Sequence, residues 1–129
     1  MRDDLLLDTC ALLWLASGSA NLSRAAVARI DRSRKVSVSA ISAWEVSLKH
    51  ARGLYALPLA PLEWFNAVVD NHGLVVAPLD LEILVKANLL PWHHRDPADR
   101  FIIATAIIHS LTVVTADKSF ADYGISVMC

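Results

Sequence analysis

The stretch Leu5-Leu6-Leu7-Asp8-Thr9 is a short apolar run that ends in an acid and a threonine. A continuous apolar run of this length is typical of a parallel strand that is buried on both faces. Asp8 and Thr9 suit the start of a helix, because their side-chain oxygens can accept a hydrogen bond from a free backbone N–H. The stretch therefore predicts a buried strand that passes directly into a helix.

The rest of the chain repeats this alternation of short apolar runs with longer helical segments. Further strands are predicted at residues 36–38, 74–77 and 112–115, and an edge strand at residues 125–128. Helices are predicted at residues 9–16, from residue 22 into the basic stretch that ends at residue 35, and at residues 40–52, 62–71, 81–90 and 97–108. Strands that alternate with helices over short connections form a parallel sheet with helices on both faces. The predicted fold class is α/β, a three-layer α/β/α sandwich with a central parallel sheet of four to five strands.

The composition fits one domain over residues 1–129, with 55% hydrophobic and 19% charged residues. The formal net charge is −1, so we expect any contact with nucleic acid to be local rather than spread over a basic surface. Two cysteines, Cys10 and Cys129, do not suggest a disulfide framework and favour a reducing cytoplasm. No segment approaches the roughly 20 uncharged apolar residues that span a bilayer. We therefore expect a cytoplasmic protein.

Five acidic side chains lie where an α/β protein can build a metal site. Asp8 and Asp117 each follow a predicted strand, Glu45 lies within a predicted helix, and Asp96 and Asp99 precede an apolar helix body. Ligands of such folds bind beyond the carboxyl ends of strands, where the strand order reverses. The two strand-end acids would meet there if their strands are neighbours. Because Mg²⁺ prefers carboxylate oxygens and water, this placement predicts a divalent-metal site.

Three of these acids also have a purely local explanation. Asp8 can cap the helix that begins at Thr9, and Asp117 can cap a short turn or helix. Asp96 followed by Pro97 is a good helix start by itself, since proline suits the first helical position. Capping explains these acids one at a time, but it does not explain their joint placement.

Glu45 has two local alternatives of its own. It fits a capping box that begins at Ser42, although Ser39 is an equally good cap and would leave Glu45 in the second turn. It can also pair with Lys49 one turn later, an exposed interaction worth a few tenths of a kcal/mol.

Four ordered motifs together resemble those of a PIN-domain ribonuclease, specifically the VapC-type toxin of type II toxin–antitoxin systems. They are Leu5-Leu6-Leu7-Asp8-Thr9, Ser42-Ala43-Trp44-Glu45-Val46-Ser47-Leu48-Lys49, His94-Arg95-Asp96-Pro97-Ala98-Asp99-Arg100 and Val114-Thr115-Ala116-Asp117. The resemblance spans essentially the whole chain, and the third motif is its most specific part. It implies a PIN-like parallel sheet, an acidic metal site and hydrolysis of RNA phosphodiester bonds.

The resemblance also assigns roles to individual acids. It implies that Asp8, Glu45, Asp99 and Asp117 form the catalytic and metal-binding quartet, with one or two Mg²⁺ or Mn²⁺ ions as cofactor. Our hypothesis is that Asp8 and Asp99 are the principal ligands, while the other two bind a second ion, act through water or orient the nucleophile. Asp96 is a candidate further ligand. Cys10 departs from the motif, since related sequences often have histidine there.

Several neighbouring side chains have weaker assignments. Thr9 and Thr115 are candidates for substrate or support, through a hydrogen bond to a metal-bound water or to phosphate, although a local cap is the commoner role of such hydroxyls. Arg100 is also a candidate for substrate or support, since it and Arg95 can hold phosphate, with solvation or surface packing as the alternative. The pair His93-His94 does not predict zinc, because neighbouring histidines point in different directions and no cysteine accompanies them.

The resemblance finally implies partners: an RNA substrate, a small cognate antitoxin and a second copy of the chain in a homodimer. Two other functions remain open. A catalytically silent interaction module with this fold would look the same in sequence. An Asp-nucleophile phosphatase would also begin with an acid after a strand, but the second aspartate expected two positions after Asp8 is replaced by Cys10.

Overall fold

In a computed structural model of the protein, which describes residues 4–129, five strands form one sheet. The strands are β1 (Asp4–Leu7), β2 (Lys35–Ser39), β3 (Val75–Ala77), β4 (Thr112–Val114) and β5 (Val127–Met128). Their order is β3-β2-β1-β4-β5, and every pairing is parallel. The predicted α/β class and parallel sheet are confirmed.

Six α-helices and a short 3-10 helix connect these strands in the described part of the chain. They are α1 (Thr9–Ser17), α2 (Arg24–Arg32), α3 (Ala40–Ala51), α4 (Pro61–His72), α5 (Leu81–Leu89), α6 (Pro97–His109) and the 3-10 helix Lys118–Tyr123. Several ends differ from the sequence prediction by one to three residues. For example, α2 stops at Arg32, so that Lys35 already belongs to β2, and β5 is confined to its last two predicted residues.

The core is divided by the sheet into two clusters of buried side chains. Along β1, Leu5 and Leu7 join one cluster and Leu6 joins the other, because successive side chains of a strand point to opposite faces. The first cluster includes side chains from α1, α2 and α4, and the second includes side chains from α5 and α6. Helices therefore cover both faces, as the three-layer prediction requires.

The strand order places the carboxyl ends of β1 and β4 side by side. Leu7 is in register with Val114, and the Asp8 N–H donates to the Val114 carbonyl at 3.1 Å. The chain builds the sheet in one direction through β2 and β3 and then crosses back to β4, so the strand order reverses between β1 and β4. Crevices at such reversals are the usual ligand sites of this architecture.

The starts of the helices show which of the local explanations for the acids are correct. Asp8 caps α1 and Asp96 caps α6, each accepting backbone N–H groups of the first turn. Ser39 caps α3 by accepting from the Ile41 N–H, so the alternative capping box from Ser42 is wrong. Glu45 is thereby free of a capping duty. No described helix is long and apolar enough to cross a membrane.

Candidate metal centre

A cleft of about 280 Å³ lies at the carboxyl end of β1 and β4, and all five predicted acids line it. These acids are Asp8, Glu45, Asp96, Asp99 and Asp117. Thr9, Cys10, Lys49 and Tyr55 also line it. The structure thus brings together residues from β1 and α1, from α3, from α6 and from the segment after β4. The chain separation of these elements means that only the tertiary fold assembles the cleft.

Asp8 both caps α1 and faces the cleft. One carboxylate oxygen, Oδ1, accepts the Ala11 N–H at 2.8 Å, and the side chain is almost fully buried. Burial raises the pKa of Asp8, although a hydrogen bond from Thr115 and the Ala11 N–H oppose this shift. The charges of Asp117 and Glu45 raise this pKa further. Capping and metal binding are therefore compatible roles for one carboxylate.

Glu45 lines the cleft and has one carboxylate oxygen without a partner. The residue is 8% exposed, and its Oε2 lies 3.3 Å from the Lys49 ammonium. Its Oε1 is buried and accepts no hydrogen bond from any described residue. A buried polar atom without a partner is costly. An oxygen-binding cation would satisfy this atom, so the donor set fits Mg²⁺ or Mn²⁺.

The pKa of Asp99 is the most strongly shifted among the carboxyls that line the cleft. Burial, together with the nearby charge of Asp96, raises the pKa of Asp99 from 3.8 to about 7, although His94 opposes the shift. Glu45 and Asp8 contribute to the increase. Carboxylates that repel one another in a buried site are stabilised by a bound cation. The electrostatics of the cleft therefore also fit a divalent metal.

Asp117 and Asp99 both contact the imidazole of His94. The Nε2 atom of His94 lies 2.9 Å from Asp117 Oδ2 and 3.1 Å from Asp99 Oδ2. Burial by itself would raise the pKa of Asp117. Hydrogen bonds from Ser119 and His94 have the larger effect and lower the pKa of this carboxyl. Sequence reasoning considered His94 only as a zinc ligand and so missed its contact with the acids. Its place in the most specific motif was the available signal.

The two threonines hold neighbouring elements of the cleft together. The Thr9 hydroxyl lies 2.9 Å from the Ser42 hydroxyl, which joins α1 to α3. Thr115 Oγ1 accepts the Asp117 N–H at 3.0 Å, and the Thr115 hydroxyl also bonds Asp8. Both side chains are buried, so the contacts that the structure gives them are with the protein.

Arg100 lies inside the protein rather than in the cleft. Its side chain is 3% exposed, and its guanidinium packs 3.5 Å from the centroid of the Trp92 ring. Its terminal nitrogens donate to the carbonyl oxygens of Ala87, Leu90, Pro91 and His94. These contacts correct the expectation that Arg100 holds phosphate. They also differ from the solvation or surface packing expected as the alternative, because the side chain is buried. Arg95 is exposed and does not line the cleft.

Comparison with known proteins gives consistent matches over nearly the whole chain. Residues 5–125 match the sequence model of the PIN domain. Ribonuclease VapC22 of Mycobacterium tuberculosis is 31% identical over 115 residues, which cover 88% of this chain and 86% of that protein.

Solved structures extend the comparison to the fold. FitAcB from Neisseria gonorrhoeae superposes with a TM-score of 0.69 at 23% identity, over 97% of this chain and 96% of that one. A toxin–antitoxin complex from Klebsiella pneumoniae superposes with a TM-score of 0.68 at 22% identity, over 98% and 97% of the two chains. DNA-bound VapBC from Salmonella typhimurium gives 0.70 at 18% identity, over 98% of both. At these identities the likeness concerns the fold.

Proposed function

The chain belongs to the PIN domain family, and from this membership and the acidic cleft we propose that it is a metal-dependent endoribonuclease, the toxin of a toxin–antitoxin pair. The observation that carries the proposal is the convergence of four carboxylates in one cleft. These are Asp8, Glu45, Asp99 and Asp117. RNA as substrate is supported by the 31% identical relative, which is a ribonuclease.

We propose that these carboxylates hold one or two Mg²⁺ or Mn²⁺ ions. Asp8 and Asp99 are the principal ligands in this proposal, because Asp8 is buried, Asp99 is partly buried and each has a raised pKa that a cation would relieve. Glu45 contributes its unpartnered Oε1, either to an ion or to a water. Asp96 acts mainly as the cap of α6, since its Oδ1 already accepts two backbone N–H groups.

The side chains of the cleft then act on an RNA phosphodiester. A bound divalent cation supplies Lewis acidity, which activates water for attack on phosphorus and stabilises charge on the phosphate oxygens. In this proposal Glu45 Oε1 either binds an ion or accepts a hydrogen bond from the attacking water and so orients it. Lys49 is the basic residue among the described residues that line the cleft, and its ammonium contacts a phosphate oxygen in this proposal. Asp117 receives donors from Ser119 and His94, which fix its orientation at the edge of the cleft.

The nuclease proposal is tested by cleavage of a mixed RNA pool with Mn²⁺ or Mg²⁺, with EDTA as the metal-free control. We expect cleavage that Asp99→Asn abolishes and that Asp122→Asn leaves intact, because Asp122 is an exposed carboxylate outside the cleft. Equal cleavage by the wild type and Asp99→Asn would contradict the assigned site. Absence of cleavage while Mn²⁺ still binds would favour the silent interaction module.

The toxin part of the proposal concerns an antitoxin partner and growth. The Klebsiella structure is of a toxin–antitoxin complex, which supports such a partner here. Expression of the wild type should arrest bacterial growth, Asp99→Asn should not, and the product of an adjacent small open reading frame should relieve the arrest. Arrest by Asp99→Asn would argue against an RNA-cleaving toxin. A cytoplasmic location, where RNA is present and the free Cys10 and Cys129 stay reduced, belongs to the same proposal.

We also propose a homodimer, supported by an exposed apolar stripe on α5. Leu81, Val85 and Leu89 are 80%, 58% and 74% exposed and follow one another at intervals of four residues, which places them on one face of the helix. Light scattering after size exclusion should give a dimer for the wild type and a monomer for Leu89→Glu. Leu62→Glu, an equally exposed leucine on α4, should remain dimeric. A monomeric wild type would refute the dimer.

A further inference from the structure

We propose that His94 is a positioning residue of the metal centre, which holds Asp117 and Asp99 in place through its Nε2–H. This inference rests on the proposed function, because it assigns His94 a role toward the same cation. The Nε2 atom donates to Asp117 Oδ2 at 2.9 Å and lies 3.1 Å from Asp99 Oδ2. One N–H group therefore bridges two carboxylates that would otherwise repel each other.

The other ring nitrogen determines where the proton lies. The Asp96 N–H donates to His94 Nδ1 at 3.2 Å, so Nδ1 must offer a lone pair. In a neutral imidazole the proton is then on Nε2, which becomes a donor and has no lone pair left for a cation. A direct bond from Nε2 to a metal would move the proton to Nδ1, where it would face the Asp96 N–H. The geometry therefore favours positioning over direct ligation.

The backbone of His94 is fixed from two sides. Its N–H donates to the Tyr123 hydroxyl at 2.8 Å, and that hydroxyl donates to the Pro91 carbonyl at 2.9 Å. Its carbonyl accepts from the buried Arg100 guanidinium at 3.1 Å. The imidazole also meets the Phe120 ring edge-on, with the ring centroids 5.8 Å apart. Side chains that orient metal-binding carboxylates are typically locked in this way by packing and hydrogen bonds.

This network also explains the buried arginine of the third motif. Arg100 donates to four carbonyls, which run from Ala87 in the last turn of α5 to His94 before α6. The same short segment thus supplies the N-cap of α6 and the imidazole that bridges the acids. In this inference Arg100 holds the backbone of His94, and His94 in turn positions the acids of the cleft.

Two substitutions separate the donor role from a structural one. In His94→Gln the side-chain amide nitrogen can reach the place of Nε2, so the bridge to Asp117 and Asp99 is kept. In His94→Asn the shorter side chain reaches only the place of Nδ1, so the contact with the Asp96 N–H is kept and the bridge is lost. Titration of metal-free protein with Mn²⁺ by calorimetry measures the consequence.

We expect Asn to weaken Mn²⁺ binding about tenfold or more, as for other groups that orient metal ligands, and Gln to bind close to the wild type. Equal affinity of His94→Asn and the wild type would overturn the inference. Equal weakening by both variants, or loss by Gln alone, would assign His94 a structural role and overturn it as well. If the wild type itself fails to bind Mn²⁺, the proposed metal site fails, which is a separate result.

A spectroscopic measurement on the unmodified protein tests the same point without a variant. Pulsed electron paramagnetic resonance of the Mn²⁺-loaded wild type reports ¹⁴N nuclei that are bound directly to the ion. We expect no strong coupling from a directly bound imidazole. A strong coupling that His94→Gln removes would make His94 a ligand and would refute the positioning role. Thermal denaturation of each metal-free variant verifies that it is folded.

Discussion

Replacement of Asp99 by asparagine should stabilise the metal-free protein at high pH. The pKa of Asp99 is raised from 3.8 to about 7 in the folded protein, first by burial and then by the charge of Asp96. Between these pH values the folded protein keeps a proton that the unfolded chain has lost. Folding stability therefore falls as the pH rises through this window, and above about pH 7 this decrease in stability is complete. Asparagine has no charge to bury and avoids this loss.

The size of the effect follows from the width of the pH window. From pH 5 to about 7 the folded protein retains the proton over about two pH units, and each unit corresponds to about 1.4 kcal/mol, which gives about 3 kcal/mol. The Asp99 side chain keeps 20% of its surface exposed, so solvent screening reduces this figure. We expect the advantage of Asp99→Asn over the wild type to be about 1–2 kcal/mol larger at pH 8 than at pH 5.

Urea denaturation in EDTA at pH 5 and pH 8 measures this difference. Asp122→Asn is the matched control, because it makes the same chemical change at an exposed site outside the cleft and should gain no such advantage. Mn²⁺ should then raise the melting temperature of the wild type at pH 8 and leave that of Asp99→Asn almost unchanged. An advantage of Asp99→Asn that is no larger at pH 8 than at pH 5 would refute the reasoning.

Three further predictions test other parts of the structure. Arg100→Lys should destabilise the protein by about 2–4 kcal/mol in urea denaturation, because an ammonium cannot replace the donors that reach four buried or partly buried carbonyls; a loss below about 0.5 kcal/mol would contradict the support role. Ser39→Ala should cost about 1 kcal/mol and leave RNA cleavage intact, since Ser39 only caps α3; a loss of cleavage without a change in stability would show that this assignment is incomplete. Cys10 should react with iodoacetamide at pH 8 more slowly than Cys129, as measured by mass spectrometry, because burial and the charges of Asp8 and Glu45 raise the pKa of its thiol; faster reaction at Cys10 would contradict that environment.

The order of strands and helices could be predicted because it follows from local pattern. The continuous apolar run before Asp8 predicts a buried strand, and Asp8 itself predicts the start of the next helix. Both features depend on a few adjacent residues. Asp96 and Pro97 specify the start of α6 for the same reason. The predicted start of β5 was less accurate, because this strand pairs over only two residues and its hydrophobic pattern is weak.

The choice between alternatives at one position needed the neighbouring elements. Ser39 and Ser42 were equally good caps in sequence, and the structure uses Ser39 as the cap while Ser42 contacts Thr9 on α1. Arg100 was expected to hold phosphate or, as the alternative, to be solvated or packed at the surface. Its contacts with the carbonyls of Ala87, Leu90, Pro91 and His94 bury it inside the protein instead. Thr9 lies outside the motif that contains Ser42, and Ala87, Leu90 and Pro91 lie outside the motif that contains Arg100, so neither motif could decide the choice by itself.

Residues close together in the chain are enough to predict three properties: the α/β class, the succession of elements and the set of acids from which a metal centre can be built. These properties depend on the hydrophobic period and on capping, which act over a few residues. Three other properties required the fold: β1 and β4 are neighbours, Glu45 lines the cleft with one oxygen unpartnered, and His94 lies within hydrogen-bond distance of two acids. These depend on contacts between residues far apart in the chain, whose pairing is decided by the packing of the whole sheet and its helices.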